Sequence, residues 1–389
     1  MAGLLGGWVA GWLGYLLLAV TAVLHTPLCD LLGIRYPVVQ SGMGRIAGPE
    51  LVAEVSRAGG LGILAGLRLV PDELRAQIRR VRELTDRTFG VNLWLHEELQ
   101  PPRGPADVPP STIAAVQHVL NRFRGRLGLP APTHPPAGLP DVIDQAIDVV
   151  LEERVPVWSV GLGNPGRALV ERCHAAGTLV MAMVATVEDA RAVAETGVDM
   201  IVAQGAEAGG HRSTWKKRRS AADAAVGTLA LVPQVVDAVA QPVIAAGGIA
   251  DGRGLVASLA LGASGVLLGT RFVACRESAA PQMYKDALLR GGADDTTITD
   301  AFTGLYARAL KNTFTREYGA SGAPVLPSLL QASAADDIYR AAAAAGDGEY
   351  YPMWSGQSVG LIDDLPGAAE IVEAIVREAE QAIAAFAAS

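Results

Sequence analysis

One histidine of this chain stands where chemistry is expected, at the end of a glycine-rich loop. The stretch Gln204–His211 reads Gln-Gly-Ala-Glu-Ala-Gly-Gly-His and follows Met200–Ala203, an apolar run typical of a buried strand. The residues before His211 are glycines, so a role in packing a hydrophobic core does not explain this histidine. His118 and His174, by contrast, lie in helical patterns and suit structural roles. Because imidazole titrates near neutral pH, His211 is the candidate acid or base.

Residues of this loop, the residue that ends the preceding strand and one residue of the Phe89–Leu93 run suit a flat heterocyclic ligand. Gln204 ends its strand with an amide that can both donate and accept hydrogen bonds. Gly209 and Gly210 carry no Cβ, so the backbone can pass close beneath a ring. Asn92, in Phe-Gly-Val-Asn-Leu-Trp, is polar inside an apolar run. A buried amide needs partners, and either a ligand carbonyl or phosphate or loop backbone would serve.

Two strand ends later in the chain combine glycines with a following helix. Gly247-Gly248 follows Pro-Val-Ile-Ala-Ala, and Gly269-Thr270 follows Gly-Val-Leu-Leu. Free N–H groups and a helix dipole favour an anion, so this pattern suits a phosphate. Tight turns are the alternative, and the repetition at both strand ends favours the phosphate. Met43, between two glycines after the first strand, lies where backbone N–H groups can meet the edge of a ring.

An alternating pattern predicts the scaffold that brings these strand ends together. Eight short apolar runs with helical stretches between them predict a closed TIM (β/α)₈ barrel. An open doubly wound sheet is the alternative, but no GxGxxG motif follows an early strand to favour it. The predicted strands are Val38–Gln40, Gly62–Leu64, Phe89–Leu93, Val155–Val160, Leu179–Val184, Met200–Ala203, Val243–Ala246 and Gly265–Leu268.

Three segments lie outside this alternation, while 27–389 as a whole is predicted to be one barrel domain. Residues 1–26 are apolar and uncharged, so they are either a membrane segment or a dispensable extension; the extension is favoured because the barrel pattern begins abruptly at Leu28. The proline-rich segment 96–140 is either a lid over the active-site mouth or a peripheral insertion. Residues 277–351 are predicted to be a helical insertion, followed by a C-terminal helical segment.

Composition bears on the partners and the location. The net charge of −8 argues against a nucleic-acid partner, and the basic run Lys216–Arg219 is too short to reverse that. Cys29, Cys173 and Cys275 are widely spaced and predict free thiols in a reducing compartment. We therefore expect a cytoplasmic protein without a metal site, in contact with a membrane only if 1–26 is an anchor. The oligomeric state stays open.

The order of these motifs resembles the nitronate monooxygenase family, also called 2-nitropropane dioxygenases. The resemblance runs from about residue 28 to the end of the chain. It is carried by Val39–Met43, Ala58–Gly62, Phe89–Asn92, Gln204–His211, Ala246–Ile249, Gly269–Phe272 and Trp354–Gln357. It implies a TIM barrel that holds FMN non-covalently and oxidises alkyl nitronates with O₂.

The resemblance also implies roles for individual residues. His211 would be the active-site histidine. The FMN contacts would be Asn92, Gln204, Gly209, Gly248, Leu267, Leu268, Gly269 and Thr270, and the neighbouring Met43, Gly210, Gly247 and Gln357 complete the predicted cofactor site. The sequence departs from the family pattern at Ser41-Gly42-Met43, at Ser159–Gly163 and at Ser213, departures that bear on the substrate rather than on the cofactor.

Two other functions remain as alternatives. Relatives on the same scaffold use NAD(P)H to reduce quinones or enoyl thioesters, and they often carry a histidine in the loop after the fifth strand. The matching stretch Ala185–Ala190 has none, which argues against this alternative. A non-catalytic barrel that binds a phosphate ligand is the other, and the position of His211 argues against it.

Overall fold

The computed structural model describes residues 24–215 and 220–388. Most of the predicted extension 1–26 and the basic run 216–219 therefore lie outside the described residues. At the start of the described chain, Thr26 Oγ1 donates a hydrogen bond of 2.6 Å to Ser264 O. Ser264 precedes a barrel strand, at the end of the barrel where the strands begin, which we call its lower end. Within those ranges, no helix combines the length and the apolar character needed to cross a membrane.

Eight parallel strands close into a barrel, which confirms the predicted TIM fold. They are β1 Val38–Gln40, β2 Leu61–Ala65, β3 Phe89–Trp94, β4 Val157–Gly161, β5 Leu179–Val184, β6 Met200–Gln204, β8 Val243–Ala246 and β9 Gly265–Leu268; the short β7 Gly210–His211 lies outside the barrel. Because β1 pairs with β2 on one side and with β9 on the other, the open-sheet alternative is wrong.

Alternate residues of each strand face the barrel interior and the surrounding helices. On β6, Met200 and Val202 pack inside the barrel, whereas Ile201 packs outward. Burial on both faces explains why the strands read as continuous apolar runs. The helix Pro27–Leu32 closes the lower end, because its Leu28 joins the interior cluster and lies against the start of β9.

The helices follow the predicted alternation closely. They are α1 Pro27–Leu32, α2 Pro49–Arg57, α3 Pro71–Leu84, α4 Pro110–Arg126, α5 Ile143–Glu152, α6 Gly166–Ala175, α7 Val187–Ala194, α8 Thr228–Ala238, α9 Gly252–Ala260, α10 Thr270–Val273, α11 Gln282–Arg290, α12 Thr313–Ala320, α13 Leu330–Ala334, α14 Asp336–Ala345 and α15 Ala368–Ala388. The C-terminal α15 packs so tightly on α9 that a Cβ on Gly252 would overlap the backbone N of Ala379.

The insertion 277–351 is less purely helical than predicted. Besides α11 to α14 it contains an antiparallel pair, β10 Thr296–Thr299 and β11 Ala307–Leu310. The other edge of β11 pairs with β7, so that Ala307 lies opposite His211. The local pattern did not reveal this sheet, because four-residue strands need partners from distant segments to form. The insertion is thus hydrogen-bonded to the loop that carries the candidate histidine.

The segment 96–140 packs against this insertion. Phe123 of α4 contacts Phe314 and Tyr350, with ring centroids 5.0 and 5.7 Å apart. The buried Arg124 forms a fork of hydrogen bonds to Asp337, at 2.7 and 3.0 Å. A bidentate pair of this kind fixes orientation as well as contributing energy. The two insertions therefore share a second apolar core beside the barrel.

A buried hydroxyl far from the candidate histidine gives a stability prediction. Thr178, just before β5, is 1% exposed, and its Oγ1 has no hydrogen-bond partner among the residues that the structure describes. Valine has the same shape without the hydroxyl, so Thr178→Val should raise the free energy of unfolding by about 1 kcal/mol. Thermal and urea unfolding would measure the change. A loss of stability in both would show that the hydroxyl has a partner after all.

Candidate active site

A cavity lies at the carboxyl ends of the barrel strands, beneath the 277–351 insertion. Its floor comes from the loops after the barrel strands, and its roof from the insertion and from 351–358. Segment 96–140 supplies none of the lining residues. Because that segment packs behind the insertion, any covering role it has is exerted through the insertion.

The structure brings eleven of the thirteen predicted site residues to this cavity. They are Met43, Asn92, Gln204, Gly209, Gly210, His211, Gly247, Gly248, Leu267, Gly269 and Thr270. They come from β1, β3, β6, β8 and β9 or the loops that follow those strands. The expectation that these strand ends meet at one rim therefore holds.

Leu268 and Gln357 are not among the lining residues. Leu268 packs with the outward cluster, because the alternation of β9 turns Leu267 inward and Leu268 toward the helices. Gln357 follows the lining residue Gly356, and its backbone N–H donates to Glu207 O at 2.9 Å. Its contact is thus with the protein backbone.

Asn92 and Gln204, the two amides predicted to bind a ligand, differ in which side-chain atoms the protein leaves available. Asn92 donates through Nδ2 to Ser159 O and Oγ, at 3.0 and 3.1 Å, which leaves its Oδ1 as the acceptor for a ligand. Gln204 binds the loop it precedes: Nε2 donates to His211 O and Oε1 accepts from Ser213 N, each at 2.8 Å. Gln204 therefore shapes the histidine loop besides lining the cavity.

Two buried arginines hold the carbonyl groups at the end of β6. Arg212 donates to Gln204 O at 2.9 Å and to Gly205 O at 2.8 Å. Arg308, on β11, donates to Ala206 O at 2.9 Å. Burial, together with the neighbouring charge of Arg308, lowers the pKa of Arg212 to about 10, so it stays a cation at neutral pH. These contacts fix the backbone from which the histidine loop departs.

Glycines at the rim permit close backbone contacts. A Cβ on Gly209 would lie 2.5 Å from Gly356 N, so this contact needs glycine. Gly247 and Gly248 have φ values of 107° and 74°, in the region that favours glycine. Gly269 differs, because a Cβ there would meet only Met43 Sδ, at 3.7 Å. The space above Gly269 is therefore open cavity.

One helix terminus at the rim already holds an anion. The carboxylate of Glu207 accepts from Thr228 N at 2.9 Å and from Thr228 Oγ1 at 2.8 Å, at the start of α8. Acidic groups are stabilised at helix N-termini, so Glu207 fills the place that a phosphate would take there.

His211 lines the cavity and packs against two indole rings. Its ring centroid is 4.6 Å from that of Trp94 and 5.0 Å from that of Trp354. Its Nε2 is 2.8 Å from Thr303 Oγ1, on the loop between β10 and β11. Burial lowers the pKa of His211 to about 3, with a further contribution from His96. At neutral pH the imidazole is therefore neutral and can accept a proton.

The sequence missed two of these contacts. Trp94 lies two residues after Asn92 on β3, so the alternation of the strand could have placed both side chains at the cavity. Thr303 is 92 residues from His211 and lies in a stretch without a recognisable motif, so no local signal could have found it.

Comparison with known proteins gives consistent results. Residues 25–378 match the family described as nitronate monooxygenase. A probable nitronate monooxygenase of Staphylococcus saprophyticus is 35% identical over 92% of this chain and 98% of its own. One from Staphylococcus aureus strain JH9 is 36% identical over 91% of this chain and 97% of its own.

Solved structures of the same size share the fold. The nitroalkane oxidase of Streptomyces ansochromogenes superposes with a TM-score of 0.83 at 36% identity, over 92% of this chain and 99% of its own. FabK from Thermotoga maritima superposes with a TM-score of 0.72 at 33% identity, over 94% of this chain and 99% of its own.

Proposed function

Because this chain belongs to the nitronate monooxygenase family, we propose that it oxidises alkyl nitronates, and neutral nitroalkanes as well, with O₂ and bound FMN. The observation that carries the proposal is the setting of His211, a neutral imidazole packed against two indoles in a cavity with a glycine rim. The likeness to a nitroalkane oxidase supports it.

The residues of the rim fit FMN. The open space above Gly269 and the exposed Gly248 suit the phosphate, and the helix start at α8 is already filled by Glu207. The free Oδ1 of Asn92 suits a donor of the ring, and Met43 lies beside Gly269. FMN, when bound, supplies the electron acceptor for the substrate and the route of those electrons to O₂.

The role of His211 differs between nitronates and nitroalkanes. A nitronate arrives without the α-proton, so it needs only a place beside the imidazole. A nitroalkane must first lose that proton, and a neutral histidine can accept it. Trp94 and Trp354 pack against the imidazole, which is only partly exposed. The apolar setting keeps His211 unprotonated until the substrate is bound.

A reductase that uses NAD(P)H is the second candidate, and the likeness to FabK is the observation that favours it. That likeness is weaker than the one to the nitroalkane oxidase, with a TM-score of 0.72 against 0.83. The stretch Ala185–Ala190, which follows β5 and runs into α7, also contains no histidine.

One experiment on the purified protein tests cofactor and reaction together. Heat should release a yellow chromophore that chromatography identifies as FMN. Under anaerobic conditions, propionate 3-nitronate should bleach the flavin absorbance within seconds, and O₂ should restore it. NAD(P)H is the control and should bleach it far more slowly. Release of FAD would contradict the cofactor assignment, and bleaching by NAD(P)H alone would favour the reductase.

A further inference from the structure

We propose that Nδ1 of His211 is the nitrogen that takes the proton from a nitroalkane, and that Thr303 is the positioning residue that makes it so. This inference rests on the proposed function and deepens it. It concerns which of two chemically distinct nitrogens faces the substrate. The structural basis is one hydrogen bond from the roof of the cavity to the histidine.

Thr303 is held firmly enough to position a ring. It is 6% exposed, and its backbone carbonyl accepts from Leu329 N at 2.8 Å. The next residue, Gly304, has a φ of 87° and packs against the backbone of Leu326 and Pro327. The hydroxyl is therefore presented to His211 by a loop whose backbone is fixed on both sides.

The contacts of this hydroxyl favour one of the two imidazole tautomers. Thr303 Oγ1 lies 2.8 Å from His211 Nε2 and 3.4 Å from Leu305 O. A hydroxyl donates one hydrogen and accepts through its lone pairs. Leu305 N lies 3.5 Å from the same oxygen. A carbonyl can only accept, whereas Nε2 can donate, so the arrangement that gives every neighbour a role directs the hydroxyl hydrogen at Leu305 O; a hydroxyl that donated to Nε2 would instead place the ring hydrogen on Nδ1. Oγ1 then accepts the hydrogen of Nε2, and the lone pair remains on Nδ1.

The indoles hold the ring in this orientation. The centroids of Trp94 and Trp354 lie 4.6 and 5.0 Å from the imidazole centroid, so both indoles pack against the ring and oppose its reorientation. With Nε2 committed to Thr303, Nδ1 is the nitrogen left for the cavity. The arrangement resembles a histidine oriented by a third group, with a neutral hydroxyl in place of a carboxylate.

The proton transfer balances with these groups alone. Nδ1 forms a bond to the α-hydrogen of the nitroalkane as the C–H bond breaks. The electron pair of that bond moves to the nitro group, which gives the nitronate anion. The resulting imidazolium keeps its Nε2 hydrogen on Thr303 Oγ1. Without the hydroxyl, that N–H of a buried cation would have no partner, which is costly.

The test uses the flavin-loaded protein and three variants. Thr303→Val removes the hydroxyl and keeps the shape, Thr303→Ser keeps the hydroxyl, and Thr178→Val is the matched control at the other end of the barrel. Nitrogen-15 NMR of the His211 ring reads the tautomer directly. Turnover of nitroethane and of ethyl nitronate at saturating O₂, with flavin content measured, reads the chemistry.

We expect the Nε2–H tautomer in the unmodified protein and a mixture of tautomers in Thr303→Val. Nitroethane turnover should fall roughly 10- to 100-fold in Thr303→Val, a part of the ~10²–10⁴-fold that a general base contributes. Nitronate turnover should fall several-fold less. Thr303→Ser should recover most of the loss, and Thr178→Val should match the unmodified protein.

Three results would overturn the inference: an Nδ1–H tautomer in the unmodified protein, equal losses on both substrates in Thr303→Val, or no recovery in Thr303→Ser. If the unmodified protein oxidised neither substrate, the proposed function would fail, and the NMR spectrum would still decide the tautomer.

Discussion

Replacing His211 with asparagine should lower nitroalkane turnover by about 10²–10⁴-fold, the usual contribution of a general base. Asparagine can still donate a hydrogen bond but cannot accept the α-proton. Nitronate turnover should fall much less, because the nitronate is already deprotonated. Flavin content should stay near that of the unmodified protein, since His211 lies beside the rim and not at Gly248 or Gly269.

The pH profile provides a second readout of the same residue. Because burial and then the neighbouring His96 lower the pKa of His211 to about 3, the neutral base form persists at every pH above that value. Nitroalkane turnover should therefore show no loss attributable to this histidine as the pH falls from about 9 to about 5. The exposed His118→Asn is the matched control and should leave both substrates unaffected. Small, equal losses in His211→Asn would make His211 structural.

Gly269→Val should give a folded protein that purifies without colour. Gly269 has a φ of −106°, so a side chain there is not strained, and a Cβ would meet only Met43 Sδ. The two added methyl groups would occupy the space that we assign to the phosphate. We expect less than about a tenth of the usual FMN, with an unchanged far-ultraviolet circular dichroism spectrum.

Gly319→Ala is the control for this substitution. Gly319 lies in α12, and nothing comes within 4 Å of an added Cβ. Because alanine favours the helix more than glycine does, the control should be as yellow as the unmodified protein and slightly more stable. A Gly269→Val protein with a full complement of FMN would place the phosphate elsewhere.

The ends of the barrel strands could be predicted from sequence because adjacent residues mark them. An apolar run that stops at a glycine marks both a buried strand and its exposed end, as at Gly247 and Gly269. The closure of the barrel then brings these ends to one rim without further information. Leu268 shows the limit of a motif, because the strand alternation turns it away from the rim that its neighbour Leu267 faces.

The partners of the site residues could not be predicted, because they are distant in the chain. Ser159 binds Asn92 from the neighbouring strand β4, 67 residues later in the chain, and Thr303 binds His211 from an insertion that begins after the barrel is complete. Four-residue strands such as Thr296–Thr299 form only when the tertiary structure supplies their neighbours. Such contacts are set by topology and leave no periodic signal.

Under the proposed function, the pairing of β7 with β11 makes the roof of the cavity a support for proton transfer at His211. In most barrels a roof segment can be exchanged in evolution or by grafting while the reacting groups stay on the barrel. Here an exchanged roof would also remove Thr303 and the strand that aligns His211. If His211 abstracts the proton as proposed, a change of roof alters substrate range and proton abstraction together, whereas the glycines that follow β8 and β9 belong to the barrel itself.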